Sequence, residues 1–245
     1  MKDLGELKFF LGIEVARSKD GIIMSQRKYA LELISEMGLA GAKPAGTPLE
    51  SNLKLTSVEY DTAVGTSKCE DKLIEDIGAY QTLVGRLLYL TMTRIDIAFA
   101  VQTLSQYMHK PKQSHWEAAL RVVKYVKTSP GLGLLMPSEG TDKLRAYCDS
   151  DWGGCLQTRK SITGYLVKFG NALISWKSKK QDTVARSSAE AEFRSIASTV
   201  AEITWLIRLF NELEVDVSLP VDLFCDSKAA IQIAAYPIFH EGLNT

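Results

Sequence analysis

Two acidic residues stand at matching positions in two short segments of the sequence. Residues 147–150 read Tyr-Cys-Asp-Ser and residues 224–227 read Phe-Cys-Asp-Ser, and both segments have the composition of a strand end. Because side chains alternate between the faces of a strand, Asp149 and Asp226 are expected to project together while the cysteines before them pack into the core. Asp-Ser is also an ordinary strand-end and helix-cap pair, so the pattern alone leaves a purely structural interpretation open.

A third acid lies on the long helix that apolar spacing predicts from Ser188 to Leu213. At 100° per residue, Glu192 falls at the edge of the apolar stripe, where it faces the sheet. Glu190 has a simpler explanation, because Ser187 to Glu190 fits a capping box and Arg194 lies four residues further on. We therefore assign Glu192 to the site and Glu190 to the helix terminus, with the reverse assignment as the alternative.

An oxygen-rich cluster of Asp149, Glu192 and Asp226, without His or Cys ligands, suits Mg²⁺ and not zinc. Asp151 lies on the same face as Asp149 if the strand continues, and is a reserve ligand. Two Mg²⁺ ions held by carboxylates stabilise both the attacking water and the leaving oxygen in phosphodiester hydrolysis, and Mn²⁺ can replace them. The sequence therefore predicts a nuclease that has these three residues as metal ligands and catalytic groups.

A basic segment follows the first acidic pair, although Lys plus Arg and Asp plus Glu are balanced at 29 each in the whole chain. Between Leu156 and Arg186 there is one acid, Asp182, against seven basic residues. We predict that this segment binds nucleic acid through Arg159, Lys160, Trp176, Lys177, Lys179, Lys180, Arg186 and Ser187, with Lys168 as a further cation. A solvated hairpin surface is the alternative.

The elements that must position these residues lie towards the C-terminus. Strands are predicted over residues 132–135, 144–148, 163–169 and 171–176, followed by the long helix, a strand over 221–225 and a helix over 227–235. Upstream, a β-hairpin from Leu7 to Met24 and a helix ending at Gly38 precede a Pro- and Gly-rich linker. Three helices follow, over 74–92, 95–108 and 116–126. The predicted class is α+β or mixed α/β, with one C-terminal sheet flanked by helices.

Composition excludes several classes of protein. The chain has 245 residues, 46% hydrophobic and 24% charged, which is typical of folded domains and not of disordered or collagen-like chains. No apolar run reaches the length of a membrane span, and the N-terminus lacks the apolar segment of a signal peptide. The four cysteines, with no Cys-x-x-Cys and only three histidines, predict reduced thiols and neither a disulfide framework nor a zinc site.

The sequence resembles the Pol polyprotein of copia-type LTR retrotransposons over nearly its whole length. Four segments resemble that family's ribonuclease H domain, in the same order: residues 147–152, 174–181, 186–193 and 225–227. The resemblance implies a ribonuclease H fold that cleaves the RNA strand of an RNA/DNA hybrid with two Mg²⁺, with acids at Asp149, Glu192 and Asp226. It also implies a cytoplasmic or nuclear location.

The resemblance divides the chain into four parts: residues 1–50 resemble the end of a reverse transcriptase domain, 51–73 a linker, 74–130 the connecting helices and 131–245 the ribonuclease H domain. Position 95 is commonly Pro in the family and is Ile here. The chain contains no Asp-Asp pair, so DNA synthesis is not expected. In the family a fourth metal-binding Asp and a closing helix follow the segment at Phe239, so we expect a truncated domain.

Three functions are therefore compared. The first is a ribonuclease H-type nuclease acting on RNA/DNA hybrids, with the rest of the reverse transcriptase as a possible partner and no membrane. The second is a catalytically inactive remnant that only binds nucleic acid. The third is a fragment without autonomous function, in which the N-terminal hairpin and helices dock on polymerase surface. Mg²⁺-dependent cleavage distinguishes the first from the second, and salt-sensitive binding distinguishes the second from the third.

Overall fold

A computed structural model describes residues 5–51, 54–65 and 71–236 of the chain. These residues form two compact units, which divide between Ser138 and Glu139. The Cys69 thiol and the segment around Phe239 that the resemblance marks as a point of truncation lie outside the described residues. Within the described ranges, no helix combines the length and the apolar character that crossing a bilayer requires.

The first unit begins with an antiparallel sheet. Its strands are β1 (Phe9–Phe10), β2 (Ile13–Ser18), β3 (Gly21–Ser25) and β4 (Gly133–Pro137), in that order across the sheet. The hairpin predicted from Leu7 to Met24 is present as β2 and β3, but its first arm also contains β1, because the chain reverses at Leu11 and Gly12, which both have positive φ. Glycine adopts that backbone conformation readily, and it lets β1 pair back onto β2.

The helices of this unit are α1 (Arg27–Glu36), α2 (Val58–Val64), α3 (Ile77–Leu90), a 3₁₀ helix (Ile95–Ile97), α4 (Ala98–Ser105) and α5 (Gln113–Val126). Their bounds differ from the predicted ones: α3 and α4 are shorter, whereas α5 begins three residues earlier. The start of α3 is set by Asp76, whose carboxylate accepts a hydrogen bond from the Ala79 amide at 2.8 Å. The region predicted as a linker contains α2, which Ser57 caps in the same way.

The first unit buries polar groups at several places, one of which is a cluster at the start of α5. The buried Lys112 ammonium pairs with Asp61 and Asp71, at 2.6 and 2.8 Å. His115 is fully buried, and its Nδ1 accepts a hydrogen bond from the Lys112 amide. The helix predicted from residue 116 therefore begins earlier, at Gln113, and the His115 side chain caps its first turn.

The boundary between the units differs from the division predicted from the sequence. The sequence predicts that the C-terminal domain begins at residue 131 and that the strand over 132–135 belongs to its sheet. That strand is β4, which instead pairs with β3 of the first unit from Gly133 to Pro137. The apolar character of the segment predicts a strand, but it does not specify the partner strand, which long-range pairing decides.

The second unit contains a four-stranded mixed sheet. Its elements are β5 (Lys143–Asp151), β6 (Ile162–Phe169), β7 (Ala172–Lys180), α6 (Ser188–Glu212), β8 (Ser218–Phe224) and α7 (Lys228–Ala235). The strand order is β7-β6-β5-β8, with three antiparallel strands and β8 parallel to β5. This arrangement confirms the predicted α+β class and is consistent with a ribonuclease H-like fold.

One face of this sheet packs against α6. Alternate residues of β5 are buried on that face, namely Leu144, Ala146, Cys148 and Ser150. On β6, Tyr165 and Val167 belong to the same core, and α6 contributes Ile196, Ile203 and Leu206. Residues on the opposite face of the sheet, such as Tyr147 and Asp149, are exposed. The sheet therefore positions its acids according to the two-residue repeat of a strand.

Candidate metal centre and nucleic-acid interface

Asp149 and Asp226 lie at equivalent heights on two adjacent parallel strands. Tyr147 of β5 pairs with Phe224 of β8, and each aspartate follows two residues later. The rings of Tyr147 and Phe224 stack with centroids 5.0 Å apart. Both aspartates are exposed and line one cleft of about 390 Å³. The predicted meeting of the two carboxylates at the strand ends is therefore present in the geometry.

Glu192 approaches Asp226 from the first turns of α6, with ligand atoms of the two residues within 4.8 Å of each other. Its side chain is buried, with 8% of the residue surface exposed. Oε1 accepts a hydrogen bond from the Ser150 amide at 3.2 Å, while Oε2 lies 3.8 Å from the Cys225 thiol. Among the described residues, Oε2 has no other hydrogen-bond partner. A buried carboxylate oxygen is thus left with only a weak thiol donor.

The pKa of Glu192 is raised above its ordinary value, chiefly because burial penalises the charged form. The negative charges of Asp149 and Asp226 raise it further, while the Ser150 amide and the Cys225 thiol lower it. The three predicted acids are thus close enough to repel one another. A divalent cation would relieve that repulsion, so the donor set fits a bound cation.

The acids are not equally close. One ligand atom each from Glu192, Cys225 and Asp226 lies within 4.8 Å of the other two, whereas Asp149 is outside that group. Asp149 belongs to β5, and the buried Ser195 of α6 donates a hydrogen bond to its backbone carbonyl at 2.9 Å. Asp151 is exposed at the end of the same strand, on the same side as Asp149.

Glu190 makes the helix-terminal contacts that the sequence predicts. Its amide donates to Ser187 Oγ, and its Oε2 accepts from the Arg186 amide at 2.7 Å. Its other oxygen pairs with Arg194 at 2.6 Å. These contacts account for both of its carboxylate oxygens, whereas Glu192 faces the other two acids. The geometry therefore favours Glu192 over Glu190 as the acid of the cluster.

Gln181 is a positioning residue that sequence reasoning did not single out. Its Nε2 donates to Ser150 Oγ, Thr163 Oγ1 and the Ala191 carbonyl, at 3.3, 3.1 and 3.0 Å. One amide group thus joins β5, β6 and the start of α6 directly beside Glu192. Gln181 ends the segment 174–181 that resembles the ribonuclease H domain, but a glutamine there has no distinctive spacing that would indicate its contacts.

The two cysteines of the repeated segments lie beside the acids. Cys148 is buried in the core as predicted, and it contacts Cys225, which is partly exposed. Burial raises the pKa of Cys148 to about 12, and it also raises the pKa of Cys225. Cys148, Cys155 and Cys225 are all free thiols. The proximity of Cys225 to Glu192 was not predicted, because alternation placed the cysteine on the far side of the strand.

The predicted basic surface is divided between the two faces of β7. Lys177 pairs with the buried Tyr165 and Lys179 pairs with Thr163, so both lysines lie on the α6 side. Trp176 and Lys180 alternate with them and therefore share the opposite face with Asp149. The alternation of β7 thus distributes a contiguous basic run over both faces, although Lys180, at the end of the strand, also lines the groove beside Lys177 and Lys179.

On the α6 side, the two exposed lysines border a groove of about 450 Å³. Phe193 and Arg194 of α6 line its other wall, with the Ser198 and Thr183 side chains. Three cations beside an aromatic ring could hold phosphates and stack on a base. The remaining predicted residues lie in loops: Arg159 is exposed and Lys160 half-buried before β6, and Arg186 and Ser187 are exposed before α6.

Comparison with known proteins identifies relatives over the whole chain. The retrovirus-related Pol polyprotein from transposon RE2 of Arabidopsis thaliana is 40% identical over 244 residues, which cover 100% of this chain and 16% of the relative. The Pol polyprotein from transposon TNT 1-94 of Nicotiana tabacum is 36% identical over 244 residues, covering 98% of this chain and 18% of the relative. The chain therefore spans about a sixth of the length of such polyproteins.

A shorter relative matches over most of its own length. An uncharacterised mitochondrial protein of Arabidopsis thaliana is 42% identical over 205 residues, covering 84% of this chain and 80% of the relative. No family model matches the chain, and no solved structure matches it. The assignment to a family consequently depends on sequence similarity that extends across both units.

Proposed function

The chain belongs to the family of retrovirus-related Pol polyproteins from transposons, and from this premise we propose that its second unit is a ribonuclease H-type nuclease. Its substrate would be an RNA/DNA hybrid, of which it would cleave the RNA strand. The observation that carries the proposal is the buried Glu192 carboxylate, which has an oxygen within 4.8 Å of a ligand atom of Asp226 and is close enough to Asp149 to be repelled by its charge. Such repulsion without a neutralising partner is costly in a purely structural site.

The residues that would hold two Mg²⁺ are Asp149, Glu192 and Asp226. All three offer oxygen ligands, which Mg²⁺ prefers, and the incomplete hydrogen bonding of Glu192 Oε2 leaves that oxygen available. When bound, the ions would activate water and stabilise the leaving oxygen of the phosphodiester. Mn²⁺, with similar oxygen preference, is expected to replace Mg²⁺.

The protein itself would orient these ligands. The Ser150 amide directs Glu192 Oε1, and Gln181 fixes α6 against β5 and β6 at the same level. Ser195 ties α6 to the backbone of Asp149. Because Ser150 belongs to β5 and Ser195 to α6, the contacts they make hold Glu192 and the backbone of Asp149 on regular elements before substrate binds.

Nucleic acid would bind through the basic residues of the same unit. Lys177, Lys179 and Arg194 offer a cationic groove on the α6 side, and Trp176 and Lys180 lie on the face that carries Asp149. Backbone phosphates are the natural ligands of such groups. The remainder of the polyprotein is a proposed partner, since the relatives are about six times longer than the matched region.

The proposal is tested by cleavage of a labelled RNA/DNA hybrid by the full chain, with and without Mg²⁺. Asp226→Asn should reduce cleavage about 100-fold or more, because it removes a metal ligand without changing side-chain size. Asp216→Asn is the matched control, since Asp216 is exposed and distant in sequence from the cluster.

Metal-dependent cleavage that persists in the control and disappears in Asp226→Asn would support the proposal. Salt-sensitive binding of the hybrid by folded protein without any cleavage would overturn it. That result would leave a nucleic-acid-binding protein as the function of this unit.

A further inference from the structure

The two thiols beside the carboxylates give the cleft a donor set that Mg²⁺ does not use. Cys225 Sγ lies 3.8 Å from Glu192 Oε2, and a ligand atom of Asp226 lies within 4.8 Å of both residues. Cys148 contacts Cys225 and lines the same cleft. One thiol and two carboxylates therefore converge on one point, and a second thiol stands directly beside it.

The separation of the Cys225 sulfur from Glu192 Oε2 is compatible with a small tetrahedral ion, which Asp226 would join by a side-chain rotation. With Zn–S near 2.3 Å and Zn–O near 2.0 Å, two ligand atoms on one zinc ion are roughly 3.5 Å apart. The observed distance of 3.8 Å between the thiol sulfur and the carboxylate oxygen is close to that value. A rearrangement of a few tenths of an ångström would thus bring the two atoms onto one ion.

The second observation that points to a ligand is the buried Glu192 oxygen. Its residue is more than nine-tenths buried, and within the described part of the chain the Cys225 thiol is its sole hydrogen-bond partner. An S–H group is a weak donor, so this oxygen lacks the compensation that buried carboxylates normally receive. A metal ion bound by both the Cys225 sulfur and this oxygen would supply the missing compensation for the buried carboxylate.

We propose that Glu192, Cys225 and Asp226 form a binding site for a thiophilic divalent ion of the Zn²⁺ class, with Cys148 as an adjacent donor. Binding would replace the thiol proton of Cys225, which leaves to solvent as the thiolate–metal bond forms. Mixed sulfur and oxygen ligands bind such ions more tightly than they bind Mg²⁺. Because Glu192 and Asp226 are shared with the proposed Mg²⁺ site, the two kinds of ion would compete.

The inference concerns the same cleft as the proposed nuclease but does not depend on hydrolysis. Asp149 separates the two proposals, since it is a proposed Mg²⁺ ligand but lies outside the thiol-containing group. Asp149→Asn should therefore abolish hybrid cleavage while retaining the thiophilic site. Failure of one proposal can thus be recognised without failure of the other.

The test is a titration of the full-length chain with Cd²⁺ and Co²⁺. Binding is monitored through the ultraviolet charge-transfer absorption of the metal–thiolate bond. The starting protein carries Cys69→Ser and Cys155→Ser, which leaves Cys148 and Cys225 as its thiols. We expect a saturable band at one ion per chain, suppressed by competing Zn²⁺ and retained in Asp149→Asn. Absence of the band in folded protein would overturn the proposal.

Two further variants in the same background locate the ligands. Cys225→Ser should remove the band or weaken the affinity for Cd²⁺ by about tenfold or more, with folding verified by circular dichroism. Glu192→Gln should weaken affinity by a similar factor while leaving the thiolate band in place. Unchanged affinity in both variants would overturn the assignment of these residues as ligands.

Discussion

Glu192 is the residue at which the fold and the proposed chemistry conflict most directly. It is buried, it lies near two other carboxylates, and only one of its oxygens has a strong hydrogen-bond donor. The folded chain therefore disfavours its charged form, which is the form that a metal requires. Function at this position is expected to reduce stability in the absence of metal.

Glu192→Gln should accordingly raise the melting temperature of the metal-free protein at neutral pH by several degrees, because it removes a buried charge and keeps the shape of the side chain. Added Mg²⁺ should stabilise the wild-type chain and have a smaller effect on the variant. Differential scanning calorimetry with and without Mg²⁺ measures both effects.

The matched control is Glu212→Gln, which changes the same charge at the exposed C-terminal end of the same helix. Its melting temperature and its response to Mg²⁺ should equal those of the wild type. A lower melting temperature for Glu192→Gln than for this control would contradict the interpretation of Glu192 as a destabilising ligand.

The sequence predicts the positions of the three acids correctly, but it does not predict the contacts that Gln181 and Cys225 make beside them. Two-residue alternation was sufficient to bring Asp149 and Asp226 to one cleft, and the helical stripe was sufficient to turn Glu192 towards it. Gln181 and Cys225 were missed as members of the site. Their roles depend on contacts between separate elements, which local periodicity does not encode.

At the scale of elements, β7 determines which basic side chains share a face, and therefore how the proposed nucleic-acid surface would be arranged. Its alternation turns Lys177 and Lys179 towards α6 and turns Lys180 to the other face. The prediction of one basic surface assumes that lysines adjacent in the sequence are also neighbours in space. In a strand, residues that are adjacent in sequence are on opposite faces, so the binding surface must be tested face by face.

The double variant Lys177→Ala/Lys179→Ala tests the α6 face. If both lysines contact phosphates, the variant should weaken hybrid binding and reduce the slope of log affinity against log salt by about 2, since each lost contact contributes about 0.9. Fluorescence anisotropy with a labelled hybrid at several salt concentrations measures the slope.

The control variant is Lys8→Ala/Lys19→Ala, which removes two exposed lysines from the first unit. It should leave the slope unchanged, because these lysines are outside the predicted surface. An equal loss of slope in both variants would mean that net charge, and not the groove beside α6, governs binding.

Most elements were predicted with the correct type, and the errors have a common cause. The long helix α6 and strands β5 to β8 occur where apolar spacing placed them. The reversal at Leu11 and Gly12 divided a predicted strand, and β4 was assigned to the wrong sheet. Both errors concern which segment pairs with which, and pairing is determined by contacts distant in sequence.

At the scale of the molecule, the two units are expected to respond to acid in opposite directions. In the first unit, burial lowers the pKa of His115 to about 4 from an ordinary value of 6.5. Between these values the unfolded chain binds a proton that the folded chain does not, so stability falls as pH falls. In the second unit the pKa of Glu192 is raised, so the folded chain binds the proton more tightly and acid favours folding.

Acidification of metal-free protein from pH 7 to pH 5 should therefore destabilise the first unit by about 2 kcal/mol. The second unit should gain stability over the same range. Amide hydrogen exchange, corrected for intrinsic exchange rates at each pH, reports the two units separately.

His115→Gln should remove the acid sensitivity of the first unit, whereas His109→Gln, which changes an exposed histidine, should preserve it. Loss of stability of equal size in both units would be inconsistent with these assignments. So would an acid response that persists in His115→Gln.

The parallel pairing of β5 with β8 has a consequence for the order of events during synthesis. The partners Tyr147 and Phe224 are separated by the β6–β7 hairpin and all of α6, so closing this contact carries a large loop entropy and comes late in folding. A ribosome-bound chain that has not yet released Asp226 cannot form the cleft. Metal capture would therefore report that the chain has emerged at least as far as Asp226 and that β8 has paired with β5.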